Sequence, residues 1–116
     1  MKEEHPDLAN LSGDELIRVL AALSNPHRLR ILAALGAGRV HVSQLARDVG
    51  LSRPLVHVHL QRLEAAGLVT GSLELSDEGK AMKFFAVNPF ALTLTPERLA
   101  EAARTLSTTE EKEESS

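Results

Sequence analysis

Ser43-Gln44-Leu45-Ala46-Arg47-Asp48-Val49-Gly50-Leu51-Ser52-Arg53-Pro54-Leu55-Val56-His57-Val58-His59-Leu60 is the stretch whose reading decides the fold. Ser43 has the hydroxyl to cap a helix that runs to Val49, and Gly50 can take the left-handed conformation that ends it. Ser52 then caps a second helix, which tolerates Pro54 in its first turn and continues through Ala66 to a stop at Gly67. Two helices joined through Gly50-Leu51 are linked too tightly to lie antiparallel, so the spacing predicts a helix-turn-helix.

Upstream, Ser12-Gly13-Asp14-Glu15 has the S-x-x-E spacing of a capping box and opens a first helix over Gly13 to Leu23. Leu16, Val19, Leu20 and Leu23 form one apolar stripe on it, and Ile17 and Ala21 widen that stripe beyond what one packing partner needs. Asn25-Pro26 starts a second helix that reaches about Leu35 before Gly36-Ala37-Gly38, with Leu29, Leu32 and Ala33 as its expected inner face. Arg39-Val40-His41-Val42 reads as a brief extended segment.

Downstream of Gly67 the pattern changes to alternation. Leu73 and Leu75 alternate with Ser72, Glu74 and Ser76, and Phe85 and Val87 alternate with Phe84 and Ala86, around the turn residues Ser76-Asp77-Glu78-Gly79. A hairpin directly after a helix-turn-helix is a wing, which gives a mainly α winged helix-turn-helix of order α-α-α-α-β-β-α. The last helix spans about Pro96 to Leu106, opened by Thr95-Pro96-Glu97, with Leu99, Ala102, Ala103 and Leu106 in a stripe. We therefore divide the chain into a flexible N-terminus (1–11), one winged domain (12–107) and a disordered acidic tail (108–116).

The 116 residues leave room for one domain, and the chain has no cysteine, so disulfides and thiolate metal sites are excluded. No apolar run is long enough for a membrane span and the first residues lack a signal peptide's apolar stretch, so a cytoplasmic location is expected. The net charge of -3 argues against a nucleic-acid partner until its distribution is considered. Residues 27–90 carry eight Lys and Arg against five Asp and Glu, whereas both flanking segments are acidic. A basic centre between acidic ends suits a DNA reader.

On the helix after Ser52, Val56, His59, Leu60 and Leu63 share one face, and Arg53, His57 and Gln61, with Pro54 and Val58 beside them, share the other. A polar outer face is what any solvated helix shows by default; its place as the second helix of a helix-turn-helix, followed by a wing, favours contact with DNA. Arg53 can bond guanine O6 and N7, Gln61 can bond adenine N6 and N7, and Val58 can meet a thymine methyl. Phosphate contacts are assigned to Arg47, Arg62, Lys83 and the helix-start amides around Ser43 and Ser52, with Gln44 in the same surface. His59 is expected to fill the core with a ring nitrogen bonded to backbone. No nucleophile motif, phosphate loop or supported acid pair points to an enzyme.

The run from Leu20 to Leu32 (LAALSNPHRLRIL), then Gln44-Leu45-Ala46, Leu51-Ser52, Val56, His59-Leu60, Leu63 and Ala66-Gly67-Leu68-Val69, resembles the ArsR/SmtB-type winged-helix repressors. The resemblance covers about residues 14–106. It implies a homodimer whose first and last helices pack across a two-fold axis through Leu16, Val19, Leu20, Leu99, Ala103 and Leu106, and two recognition helices on a pseudo-palindromic double-stranded operator. Metal-sensing members carry a cysteine pair where this chain has His41-Val42-Ser43-Gln44-Leu45, and others place histidines on the last helix, which has none here, so no metal site and no cofactor are expected. An organic effector in the aliphatic dimer interface, near Phe84, Phe85 and Phe90, is one further reading, against the general rule that apolar clusters are packing. The acidic wing tip favours the alternative of a winged-helix protein-interaction module that never reads DNA.

Overall fold

The computed structural model describes residues 10–107, which group into two compact units: residues up to Leu20 together with those from Pro89 onward, and residues Ala21–Asn88. The acidic tail from residue 108 and all but residues 10 and 11 of the N-terminal segment lie outside the described residues.

The first unit holds most of α1 (Gly13–Leu23) and α5 (Pro96–Arg104). The capping box forms as its spacing predicts: Glu15 N–H donates to Ser12 Oγ at 3.1 Å and Ser12 N–H donates to Glu15 Oε1 at 2.8 Å. Thr95 caps α5 by accepting from Arg98 N–H at 3.1 Å. The α5 helix ends at Arg104, two residues short of the expected Leu106. Gly13 N–H donates to Thr105 Oγ1 at 2.6 Å, which draws the start of α1 onto the end of α5. This approach requires glycine, because a Cβ at position 13 would collide with the Ala102 carbonyl oxygen and the Leu106 side chain.

The second unit contains α2 (Pro26–Leu35), β1 (Val40–His41), α3 (Val42–Val49), α4 (Arg53–Ala65), β2 (Val69–Leu75) and β3 (Ala81–Val87). The fold is the expected winged helix-turn-helix, with one strand more than the expected order. β1 is that strand: it pairs antiparallel with β3, Val40 opposite Phe85 and His41 opposite Phe84, giving a sheet of order β1-β3-β2. β2 and β3 form the wing, in register from Val69 opposite Val87 to Leu75 opposite Ala81. At its tip Ser76 Oγ accepts from Glu78 and Lys80 N–H, so Asp77 and Glu78 occupy a turn. At its base Asn88 Nδ2 donates to the Gly67 carbonyl at 2.8 Å, and Asn88 Oδ1 accepts from Thr70 Oγ1 at 2.7 Å.

The core of this unit is aliphatic: Ile31, Leu35, Leu45, Val56, Leu60, Leu63, Leu68 and Val69 are essentially sealed from solvent, and Phe85 joins them. One expectation is corrected here. On α2 the inner face is Ile31 and Leu35; Ala33 is exposed, Leu32 is half-buried, and Leu29 is 53% exposed. Apolar residues ring this helix, so two faces satisfied the same i, i+3, i+4 spacing, and packing chose the other one. On the wing, Leu73 and Leu75 are exposed, and the buried residue of β2 is Val69 at the hairpin base, directly after the buried Leu68.

A second correction concerns the cap of α3. The N-cap is His41, whose Nδ1 accepts from Ser43 N–H at 3.1 Å, and Ser43 lies inside the helix. An imidazole nitrogen replaces the expected hydroxyl, and the His41 ring also meets the Phe84 ring edge-on with centroids 5.5 Å apart.

Candidate nucleic-acid interface

Gly50, at φ 72°, ends α3 in the left-handed conformation, and its N–H and that of Leu51 both donate to the Ala46 carbonyl. Ser52 starts α4 one residue later, its Oγ accepting from Leu55 N–H at 3.3 Å. This tight joint fixes α4 against α3 with one face turned inward, where Val56, His59, Leu60 and Leu63 are buried. Arg53, Pro54, His57, Val58, Gln61 and Arg62 are all exposed, and Arg53, Pro54 and His57 line a shallow open depression. The two-face reading of this helix therefore matches its burial.

The remaining site residues vary in availability. Gln44 and Arg47 are exposed on α3, but they bind each other: Arg47 Nη2 donates to Gln44 Oε1 at 2.7 Å, and Gln44 Nε2 donates to Asp48 Oδ1 at 2.7 Å. This chain holds the Arg47 guanidinium in one place while Asp48 offsets part of the local charge. Lys83, on β3, is exposed with its ammonium 5.6 Å from the Phe85 ring centroid. The Ser43 amide is not free for a phosphate, since the His41 ring already accepts from it. The Ser52 hydroxyl likewise serves as a cap.

Behind the exposed face stands a cluster that sequence reading missed. The Arg28 guanidinium donates through Nε to the Ala22 carbonyl at 2.7 Å, through Nη2 to the Ala21 carbonyl at 3.2 Å, and through Nη1 to His59 Nδ1 at 3.2 Å. His59 therefore bonds a side chain and not the backbone that was expected. Accepting at Nδ1 places its proton on Nε2 in the neutral ring. Burial, helped by the charges of Arg28, His27 and Arg62, pushes the His59 pKa below its ordinary value. Arg28 gave no sequence signal because its partner lies 31 residues away. Arg39 also escaped notice; it lies 4.3 Å over the Phe84 ring and pairs with Glu74 at 2.9 Å, joining the approach to β1 to the wing.

The proposed dimer residues divide when the first unit is folded. Leu16 and Val19 are each only 4% exposed within the single chain, so they belong to its own core and are corrected as partner-facing residues. Leu20 is half-buried, while Leu99, Ala103 and Leu106 are exposed. Ile17, one of the residues that widen the α1 stripe, is 55% exposed and faces outward, although it was not among the expected partner-facing residues. Ile17, Leu20, Leu99 and Leu106 rim a shallow apolar groove of this unit.

In the second unit Phe85 is core and Phe84 is covered by Arg39 and His41. Among the described residues no group of three or more His, Cys, Asp or Glu could hold a metal ion. No described helix is long and apolar enough to cross a membrane.

A helix-turn-helix domain model matches residues 23–72. An HTH-type transcriptional regulator of Methanocaldococcus jannaschii is 36% identical over 76 residues, covering 66% of this chain and 79% of that protein. The HTH-type transcriptional regulator CmtR of Mycobacterium tuberculosis is 44% identical over 59 residues, 51% of this chain, which spans only half of CmtR. Among solved structures, a homodimeric winged helix-turn-helix DNA-binding domain from Mycobacterium bovis, described as a possible ArsR-family regulator, superposes with a TM-score of 0.54 at 23% identity, covering 89% of this chain and 85% of that one. With the helix-turn-helix and wing in place, and a relative this similar over most of its length, the chain belongs to the HTH-type transcriptional regulators.

Proposed function

We propose that this chain is a repressor that acts as a homodimer on double-stranded DNA, with one α4 helix in each of two successive major grooves of a pseudo-palindromic operator. The single observation that carries the reading is the division of α4: its inner face is sealed in the core, while Arg53, His57, Val58, Gln61 and Arg62 stand exposed one tight turn after α3. In this reading Arg53 and Gln61 hydrogen-bond base edges, His57 and Pro54 line the contact, and Arg47, Arg62 and Lys83 meet phosphates. Residues 12–107 then act as one winged domain with dimerisation helices at both ends. Pairing through Ile17, Leu20, Leu99, Ala103 and Leu106 would cover apolar side chains that one chain leaves in water, and the Mycobacterium bovis neighbour is described as homodimeric.

The test is selection of bound duplexes from a random pool, followed by titration of the enriched duplex at several salt concentrations. A two-fold-symmetric site whose binding weakens steeply with salt supports the proposal. A failure to enrich any sequence, with no salt-sensitive binding, would instead favour a protein-interaction module.

A further inference from the structure

The exposed side of α4 is not uniformly polar. Leu55 is 40% exposed and Val58 is 50% exposed, and Pro54 adjoins them. Leu55, Val58 and Arg62 are spaced i, i+3, i+7, so they lie in one line along the helix, with Arg53 and His57 on the other flank. Exposed leucine and valine on a DNA-facing helix can hydrogen-bond no base edge. The thymine C5-methyl is the apolar group that a base pair presents in the major groove. Three residues of α-helix advance by about 4.5 Å, close to the roughly 3.4 Å step between stacked base pairs.

Resting on the DNA-binding reading above, we infer that Leu55 and Val58 are specificity residues that read thymine methyl groups on two neighbouring base pairs of each half-site, while Arg62 fixes the register at an adjacent phosphate. The sequence had offered Val58 for this role, and the exposure of Leu55 beside it makes a pair. Such a half-site carries two neighbouring A·T pairs at a fixed distance from the operator's centre. Arg53 and Gln61 read other positions.

The test uses the duplex selected from the random pool, resynthesised with uracil in place of each thymine in turn, which removes the methyl and leaves base pairing and the protein untouched. Loss of one contacted methyl is expected to weaken binding about fourfold, the equivalent of one buried methylene. At one such position the thymine preference should disappear in Leu55→Ser, and at the neighbouring one in Val58→Ser. Equal binding of thymine and uracil duplexes at every position overturns the inference while leaving DNA binding intact. Enrichment of no duplex at all removes the DNA-binding reading and the inference with it.

Discussion

Arg28 Nη1 lies 3.2 Å from His59 Nδ1, so a cation on α2 holds a buried neutral imidazole on the inner face of α4. The same guanidinium closes the end of α1 by taking the Ala21 and Ala22 carbonyls. No basic residue stands in the last turn of α1, and Arg28 supplies that charge from the next helix.

Replacement of Arg28 by alanine should therefore destabilise the fold by about 1–3 kcal/mol, the usual cost of losing charge-assisted hydrogen bonds and leaving acceptors unpaired. Arg28→Lys should recover little, because one ammonium cannot match a planar fork that reaches three acceptors. Urea denaturation of the three proteins checks this, and equal midpoints for Arg28→Lys and the unaltered protein would remove the fork from the account.

Stability should fall on mild acidification. His59 titrates below its ordinary value when folded, so between about pH 6.5 and its folded pKa the unfolded chain binds more protons. The contribution is complete above about pH 6.5 and is lost as pH falls from there towards the folded pKa. In His59→Asn this part of the slope should vanish, and an unchanged slope between pH 7.5 and 5.5 would exclude His59 as its source.

Arg53→Ala and Gln61→Ala should each relax sequence preference at one operator position and cost about 1–3 kcal/mol of discrimination there. Arg62→Ala should instead weaken all sequences alike and reduce the salt slope by about one. Binding assays at several ionic strengths separate the two patterns. A specificity change in Arg62→Ala would reverse its assignment.

The apolar side chains of the first unit make separate demands. Ile17→Glu and Leu99→Glu, at exposed positions, should leave the chain folded but monomeric in sedimentation at micromolar concentration. Leu16→Ala, at a position already packed within the chain, should cost about 2–5 kcal/mol of stability. If the glutamate variants sediment like the unaltered protein, pairing through this face is wrong.

Gly13→Ala should also destabilise, because the added methyl meets the Ala102 carbonyl oxygen and Leu106. About 1–3 kcal/mol is the usual cost of such overpacking, and a thermal melt measures it. An unchanged melting temperature would mean that the close approach of α1 and α5 is not required.

Most of the local chemistry was settled by the order of residues. The Ser12/Glu15 box, the Asn25 and Ser52 caps and the Gly50 turn join residues at most four apart, so they could be read directly. The two faces of α4 were legible for the same reason, since Val56, His59, Leu60 and Leu63 recur at helical spacing. Tertiary packing settled what local spacing left degenerate: Ile31 and Leu35 over Leu29 and Ala33, Leu16 inward and Ile17 outward, His41 over Ser43 as a cap. It alone paired β1 with β3 and brought Arg28 to His59 across 31 residues. A periodic pattern fixes which residues share a face, but which face is buried, and what a buried nitrogen bonds, depends on neighbours that only the folded chain supplies.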